Sequence, residues 1–150
     1  MSEEVFMTNK SIRVIFDTNV WISFLIGKRL SIIQKFISDG SIVIVITDQL
    51  IKEINLVTGR EKLKKYFPKE SVKELVELLE TIAENVEIKT KHFISRDLKD
   101  NFLLDLIDYS KADYLITGDK DLLEHNPFKT AQILSPQEFE TELRKKHRPD

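Results

Sequence analysis

Two short runs, Ile12-Arg-Val-Ile-Phe16 and Ser41-Ile-Val-Ile-Val-Ile46, are apolar and β-branched almost without interruption. A strand with one wet face alternates apolar and polar residues. A run that does not alternate is covered on both faces, which is the situation of strands inside a parallel sheet. Each run is followed by a segment of helical period. After the first, Val20 to Ile26 reads as helix, Gly27-Lys-Arg breaks it, and Leu30 to Asp39 resumes until Gly40, with apolar residues at 30, 32, 33, 36 and 37. After the second, Thr47 or Asp48 can cap a helix to about Val57, stopped by Thr58-Gly59. Ser71-Val-Lys-Glu74 has the form of a capping box, with Val72, Leu75, Val76, Leu79, Ile82 and Ala83 spaced as one helical face behind it. Val86-Glu-Ile88 reads as a brief strand, Asn101 to Lys111 as a helix, Ala112 to Ile116 as a strand and Ala131 to Leu134 as a last edge strand. Ser135-Pro-Gln-Glu138 is a second capping box, with proline at the first helical position, opening a helix to about Lys146. Strands that alternate with helices in this way predict a three-layer α/β/α sandwich around a parallel sheet of about four or five strands.

The length of 150 residues suits a single domain over 12–146, with an N-terminal extension at 1–11 and a frayed tail at 147–150. The absence of cysteine excludes a disulfide scaffold, a thiolate zinc site and a cysteine nucleophile, and it fits a reducing cytoplasm. The longest apolar run falls far short of the roughly 18 residues of a membrane span, and the acidic start is unlike a signal peptide, so a soluble cytoplasmic protein with no membrane partner is expected. His92, His125 and His147 are scattered without ligand or triad spacing, and there is no nucleophile elbow or glycine-rich phosphate loop. The net charge of −2 does not by itself point to a polyanion. Its distribution says more: residues 60–73 carry six basic and two acidic side chains, and residues 89–99 carry four basic side chains against Asp97 alone. Read alone, these are solvated faces.

In open parallel sheets, ligands bind outside the carboxyl ends of the strands, where the strand order reverses. Asp17 immediately follows the first strand and Asp119 follows the fourth after one Thr-Gly step, so adjacency of those strands would aim both carboxylates into one crevice. Glu53, three residues after Leu50 and four before Val57, flanks the apolar stripe of its helix. Asp100 lies at the mouth of the next helix, three before Leu103, while Asp105 and Asp108 look outward by the same test. Carboxylates converging at one sheet end raise one another's pKa, and a hard divalent cation, Mg2+ or Mn2+, resolves the repulsion through oxygen ligands. Such a site activates water and stabilises charge on phosphate, which is the chemistry of phosphodiester hydrolysis, and the basic segments then have a nucleic-acid backbone to hold. Taken singly, each acid has a plainer reading. Asp17-Thr-Asn can be a helix cap, Asp119 a turn residue, Asp100 a helix-dipole partner and Glu53 the partner of a Lys or Arg. Trp21 and Phe24 read as core, with base stacking as the other option for Trp21.

Taken together, Phe16-Asp17-Thr18-Asn19, the helix acid Glu53, Arg96-Asp-Leu-Lys-Asp100-Asn101 and Thr117-Gly-Asp119-Lys-Asp121-Leu resemble the four acidic motifs of the PIN-domain ribonucleases, in particular the prokaryotic toxin components of toxin-antitoxin pairs. The resemblance runs over about residues 12 to 140. It implies that Asp17, Asp100 and Asp119 hold Mg2+ or Mn2+, with Asp97 the alternative third ligand. It further implies that Glu53 holds a second ion or orients the attacking water, and that Asp121 is an outer or second-metal ligand. Thr18 or Asn19 would fix the Asp17 carboxylate, Asn101 would support Asp100, and Thr117 would steady Asp119. The substrate implied is single-stranded or exposed-loop RNA, contacted by Arg60, Lys62, Lys64, Lys65, Arg96 and Lys99; the partners implied are a cognate antitoxin protein and a second copy in a homodimer. Two other classes stand beside it. A phosphatase with an aspartate nucleophile would want a second aspartate where Asn19 stands, and a catalytically silent RNA-binding or scaffold domain would keep the fold alone.

Overall fold

The two β-branched runs lie side by side at the centre of one sheet in the computed structural model, which describes residues 11–27, 30–88 and 101–146. Strand β1 (Ile12–Phe16) pairs in parallel with β2 (Ile42–Ile46), Val14 standing opposite Ile44. On its other side β1 pairs with β4 (Tyr114–Ile116), Phe16 opposite Ile116. With β3 (Glu84–Asn85) and β5 (Gln132–Leu134) at the edges, the order is β3-β2-β1-β4-β5, every pair parallel. Val14, Ile15 and Phe16 are consecutive and all buried, so β1 is covered on both faces as its composition requires.

From β1 the chain steps outward through α1 (Thr18–Gly27) and α2 (Leu30–Ser38) to β2, then through α3 (Asp48–Thr58), a 3-10 turn (Lys64–Tyr66) and α4 (Lys69–Ile82) to β3. Helix α5 (Asn101–Ser110) leads back across the sheet to β4, a short α6 (Lys120–Leu123) leads to β5, and α7 (Pro136–Lys146) follows. Right-handed crossovers running in opposite directions put their helices on opposite faces, giving the three-layer α/β/α sandwich. The order reverses between β1 and β4. Beside that point Phe16 is ringed by Trp21, Phe24 and Phe139 at centroid distances of 5.1, 5.5 and 5.9 Å, which joins α1 and α7 on one face. Trp21 is 2% exposed and is therefore a core residue. Gly40, at φ +82°, makes the left-handed turn into β2 that a side chain would strain. Among the described residues no helix is long and apolar enough to cross a membrane.

The capping box at α7 forms in both directions: Ser135 N–H donates to Glu138 Oε1 at 2.9 Å and Glu138 N–H donates to Ser135 Oγ at 3.2 Å. The one expected at Ser71 does not open α4. Pro68, at φ −54° and ψ 138°, is the non-helical residue before the helix, and its carbonyl accepts from Ser71 and Val72 N–H, so the helix starts at Lys69 and Ser71 lies within its first turn. The brief strand also sits two residues earlier than 86–88. Glu84 and Asn85 do the pairing because side chains hold them: Arg13 grips Glu84 with two bonds of 2.6 and 2.8 Å, and Asn85 Nδ2 donates to Asp48 at 3.0 Å. A third correction concerns Asp105, expected on the outside and found 1% exposed and engaged within the protein, whereas Asp108 is half-buried and reaches Lys111 at 3.5 Å.

The Arg13 clamp supplies a test. Its guanidinium also donates to the Ser110 carbonyl at 3.0 Å, and it holds the Glu84 carboxyl below the usual carboxylate range. A lowered folded-state pKa contributes stability above the unfolded pKa and loses it as pH falls. With side chains 28% and 46% exposed, Glu84→Gln is expected to cost about 1 kcal/mol or less in urea unfolding near neutral pH, the gap closing in acid and shrinking at high salt.

Candidate active site

Asp17 is where β1 stops being a strand. Its N–H still donates to the Ile116 carbonyl at 3.1 Å, while its own carbonyl accepts from Val20 and Trp21 N–H at 3.1 Å each and so starts α1. Its two carboxylate oxygens have different partners. Oδ1 accepts Val20 N–H at 2.8 Å, an N-cap bond, and Oδ2 accepts the hydroxyl of Thr117 at the end of β4. The capping role therefore accounts for one oxygen only.

Thr117 is fully buried, and its backbone continues the ladder, N–H donating to the Leu134 carbonyl at 2.9 Å. The same hydroxyl oxygen that donates to Asp17 accepts Asp119 N–H at 3.0 Å. Asp119, half-buried, in turn caps α6 by accepting Asp121 N–H at 2.9 Å, and Asp121 itself is exposed. The first and fourth acids are thus linked through one threonine across the reversal between β1 and β4. Glu53, half-buried on α3, accepts from the Thr18 hydroxyl at 3.3 Å, which brings it to the residue next to Asp17. Of the two neighbours expected beside Asp17, Asn19 meets it through its backbone amide while Thr18 reaches Glu53; Thr117 accepts the Asp119 amide and donates to Asp17 as well.

Burial raises the Asp17 carboxyl above its ordinary pKa. Hydrogen bonds from Thr117 and Val20 pull it back, and the negative charge of Asp119 pushes it up again. Among the described residues no Lys, Arg or His acts on it. A carboxylate 6% exposed, beside the negative charge of Asp119 and with no cation acting on it among the described residues, is expensive to keep ionised. Its donor set is all hard oxygen, and so fits Mg2+ or Mn2+. Among the described residues no three acids or histidines gather to hold an ion, and Asp97, Asp100, Arg96, Lys99 and the Asn101 side chain lie outside those residues. Asn101 takes its place only as the first residue of α5.

The basic segment begins where α3 ends. At 1.5 Å of rise per residue, Gly59 is about 9 Å along the helix axis from Glu53, and Arg60, Lys62, Lys64 and Lys65 follow. All four are exposed.

A profile described as the PIN domain matches residues 13–121, a span that includes Asp17, Glu53, Asp100, Asp119 and Asp121. Among curated proteins none matches the chain.

Two expectations follow from the geometry. Thr117→Val keeps the shape but leaves Asp17 Oδ2 and Asp119 N–H without their partner, so it should cost about 1 to 3 kcal/mol of stability by urea unfolding and raise the Asp17 pKa further, read by carboxyl NMR titration. The second concerns pH. A carboxyl whose pKa is raised by folding favours stability while protonated and loses it as pH rises through the folded value. Measured in EDTA, the unfolding free energy of Asp17→Asn relative to wild type is therefore expected to shift in the variant's favour between acid and neutral pH; a difference that stays flat would contradict the burial cost.

Proposed function

The chain belongs to the PIN-domain family, whose members are in general nucleases, and from that premise we propose that it is a metal-dependent endoribonuclease, the toxin of a toxin-antitoxin pair. The observation that carries the reading is Asp17: a buried carboxylate at the reversal point of the sheet, tied by Thr117 to the strand that presents Asp119, with no cation acting on it among the described residues. The residue pattern Thr117-Gly-Asp119-Lys-Asp121-Leu, with Asp100 and Asn101 upstream, supports the toxin assignment through its resemblance to that subgroup.

In this reading Asp17 and Asp119 offer carboxylate oxygens to Mg2+ or Mn2+, with Asp100 as the third donor and Asp121 at the outer edge. When bound, the ion lowers the pKa of water and offsets charge on the scissile phosphate. Thr117 keeps Asp17 turned toward Asp119 by occupying Oδ2 from the side, so the carboxylate pays no reorientation cost when RNA arrives. Glu53, steadied by Thr18, orients the attacking water and accepts its proton. Arg60, Lys62, Lys64 and Lys65 hold the RNA backbone against an otherwise acidic centre, joined by Arg96 and Lys99. A cognate antitoxin would silence the enzyme by covering this crevice, and the working form is a cytoplasmic homodimer.

The test is cleavage of an end-labelled, unstructured RNA in Mg2+, Mn2+ or EDTA. Expected are cleavage only with metal, its loss to background in Asp17→Asn and Asp119→Asn, and a decrease of about 10- to 100-fold in Thr117→Val. Cleavage that survives EDTA or both aspartate variants overturns the site. For the toxin role, induced wild-type protein is expected to arrest growth of a bacterial host while Asp17→Asn does not.

A further inference from the structure

The segment joining α3 to α4 is a built turn. Leu63 and Lys64 N–H donate to the Arg60 carbonyl at 2.9 and 2.8 Å, Tyr66 N–H donates to Leu63 at 2.9 Å, and Phe67, 5% exposed, anchors the end of the 3-10 turn in the protein. This scaffold holds Tyr66 outward, 59% exposed, with Lys65 Nζ 5.2 Å from its ring centroid. Folding ordinarily buries an aromatic ring of this size. Here a cation steadies the ring while most of it stays in water.

Beside the turn, a groove of about 680 Å3 runs between α3 and α4. Its charge changes along α4: Lys69 and Lys73 outnumber Glu70 on the early turns, where Lys64 also lines it, 3.9 Å from Glu61, and Glu77 and Glu80 line the later turns. Over residues 60–73 six basic side chains face two acidic ones in a protein of net charge −2, so the end of the groove next to Tyr66 is a local cationic patch. An exposed ring set among cations spaced along a groove is the arrangement that single-stranded nucleic acid requires, since bases stack on the ring and phosphates follow the cations. A paired base has no free face to offer the ring.

We propose that this turn and groove are a single-strand RNA site, in which Tyr66 stacks on an unpaired base and Lys64, Lys69 and Lys73 hold the neighbouring phosphates. The proposal rests on the nuclease reading and adds to it the residues that grip the strand away from the acids: the Tyr66 ring and the lysines of the groove. Tyr66 is a binding residue here, remote from the bond that is cut.

The experiment measures binding apart from cleavage, by fluorescence anisotropy of labelled oligouridylate and of a blunt RNA duplex in EDTA. Expected is preference for oligouridylate, affinity reduced about tenfold by Tyr66→Ala and restored by Tyr66→Phe. Lys64→Ala is expected to lower the slope of log affinity against log salt by about 0.7. Because Tyr66 and Lys64 are exposed, urea unfolding of these variants should match wild type. Unchanged affinity in Tyr66→Ala, or equal affinity for the duplex, overturns the proposal. If wild type cleaves RNA while Tyr66→Ala binds normally, this inference fails and the nuclease reading stands. If Tyr66→Ala loses affinity while wild type cuts nothing in any metal, the binding site stands and the nuclease reading fails.

Discussion

The hydrogen bond from Thr117 to Asp17 joins the ends of the two central strands at the one place where the sheet changes direction. The rest of the site hangs from it. The same hydroxyl receives the amide of Asp119, and Asp119 starts the short helix that displays Asp121. Asp17 also starts α1, whose Thr18 reaches Glu53 on α3. One buried pair therefore aligns elements from four parts of the chain. A buried carboxylate is unfavourable in a folding core, and the aromatic packing of Trp21, Phe24 and Phe139 around Phe16 gives the rigid background beside it.

The central strands were legible because burial on both faces leaves a direct mark. Val14, Ile15 and Phe16 read as one apolar run since all three are buried. The weaker elements left fainter marks. Residues 84–85 carry no apolar pattern at all; they pair because Arg13, seventy-one residues earlier in the chain, grips Glu84. The cap signal at Ser71 misled because the Pro68 carbonyl, three residues earlier, already accepts the Ser71 and Val72 amides and starts the helix there. Asp105 was misread because helical spacing counts apolar residues, and α5 is enclosed around more of its circumference than that stripe: Phe102, Leu103, Leu104, Leu106 and Ile107 are all buried. Helix α6 is four residues long, too short to show a period.

In the site, what was legible were positions and what was not were partners. Asp17 and Asp119 could be placed because one follows its strand directly and the other after a Thr-Gly step, and parallel topology puts strand ends together. That Thr18 reaches Glu53 and that Thr117 reaches Asp17 could not be seen, since those contacts span 35 and 100 residues. Either threonine stands beside an acid in sequence; only the fold decides which acid it serves. The exposed ring of Tyr66 was equally silent, because a tyrosine in a lysine-rich loop reads the same whether it is buried or displayed.

The central claim is that the oxygens of Asp17 and Asp119 share one divalent cation. It is tested most directly by adding substoichiometric Mn2+ to isotope-labelled protein and recording which backbone amide signals broaden. Broadening that starts at Asp17 to Val20 and Thr117 to Asp121, and that is lost in Asp119→Asn, is the expected result. Broadening that starts instead near Glu77 and Glu80, or that is unchanged in the variant, would contradict it.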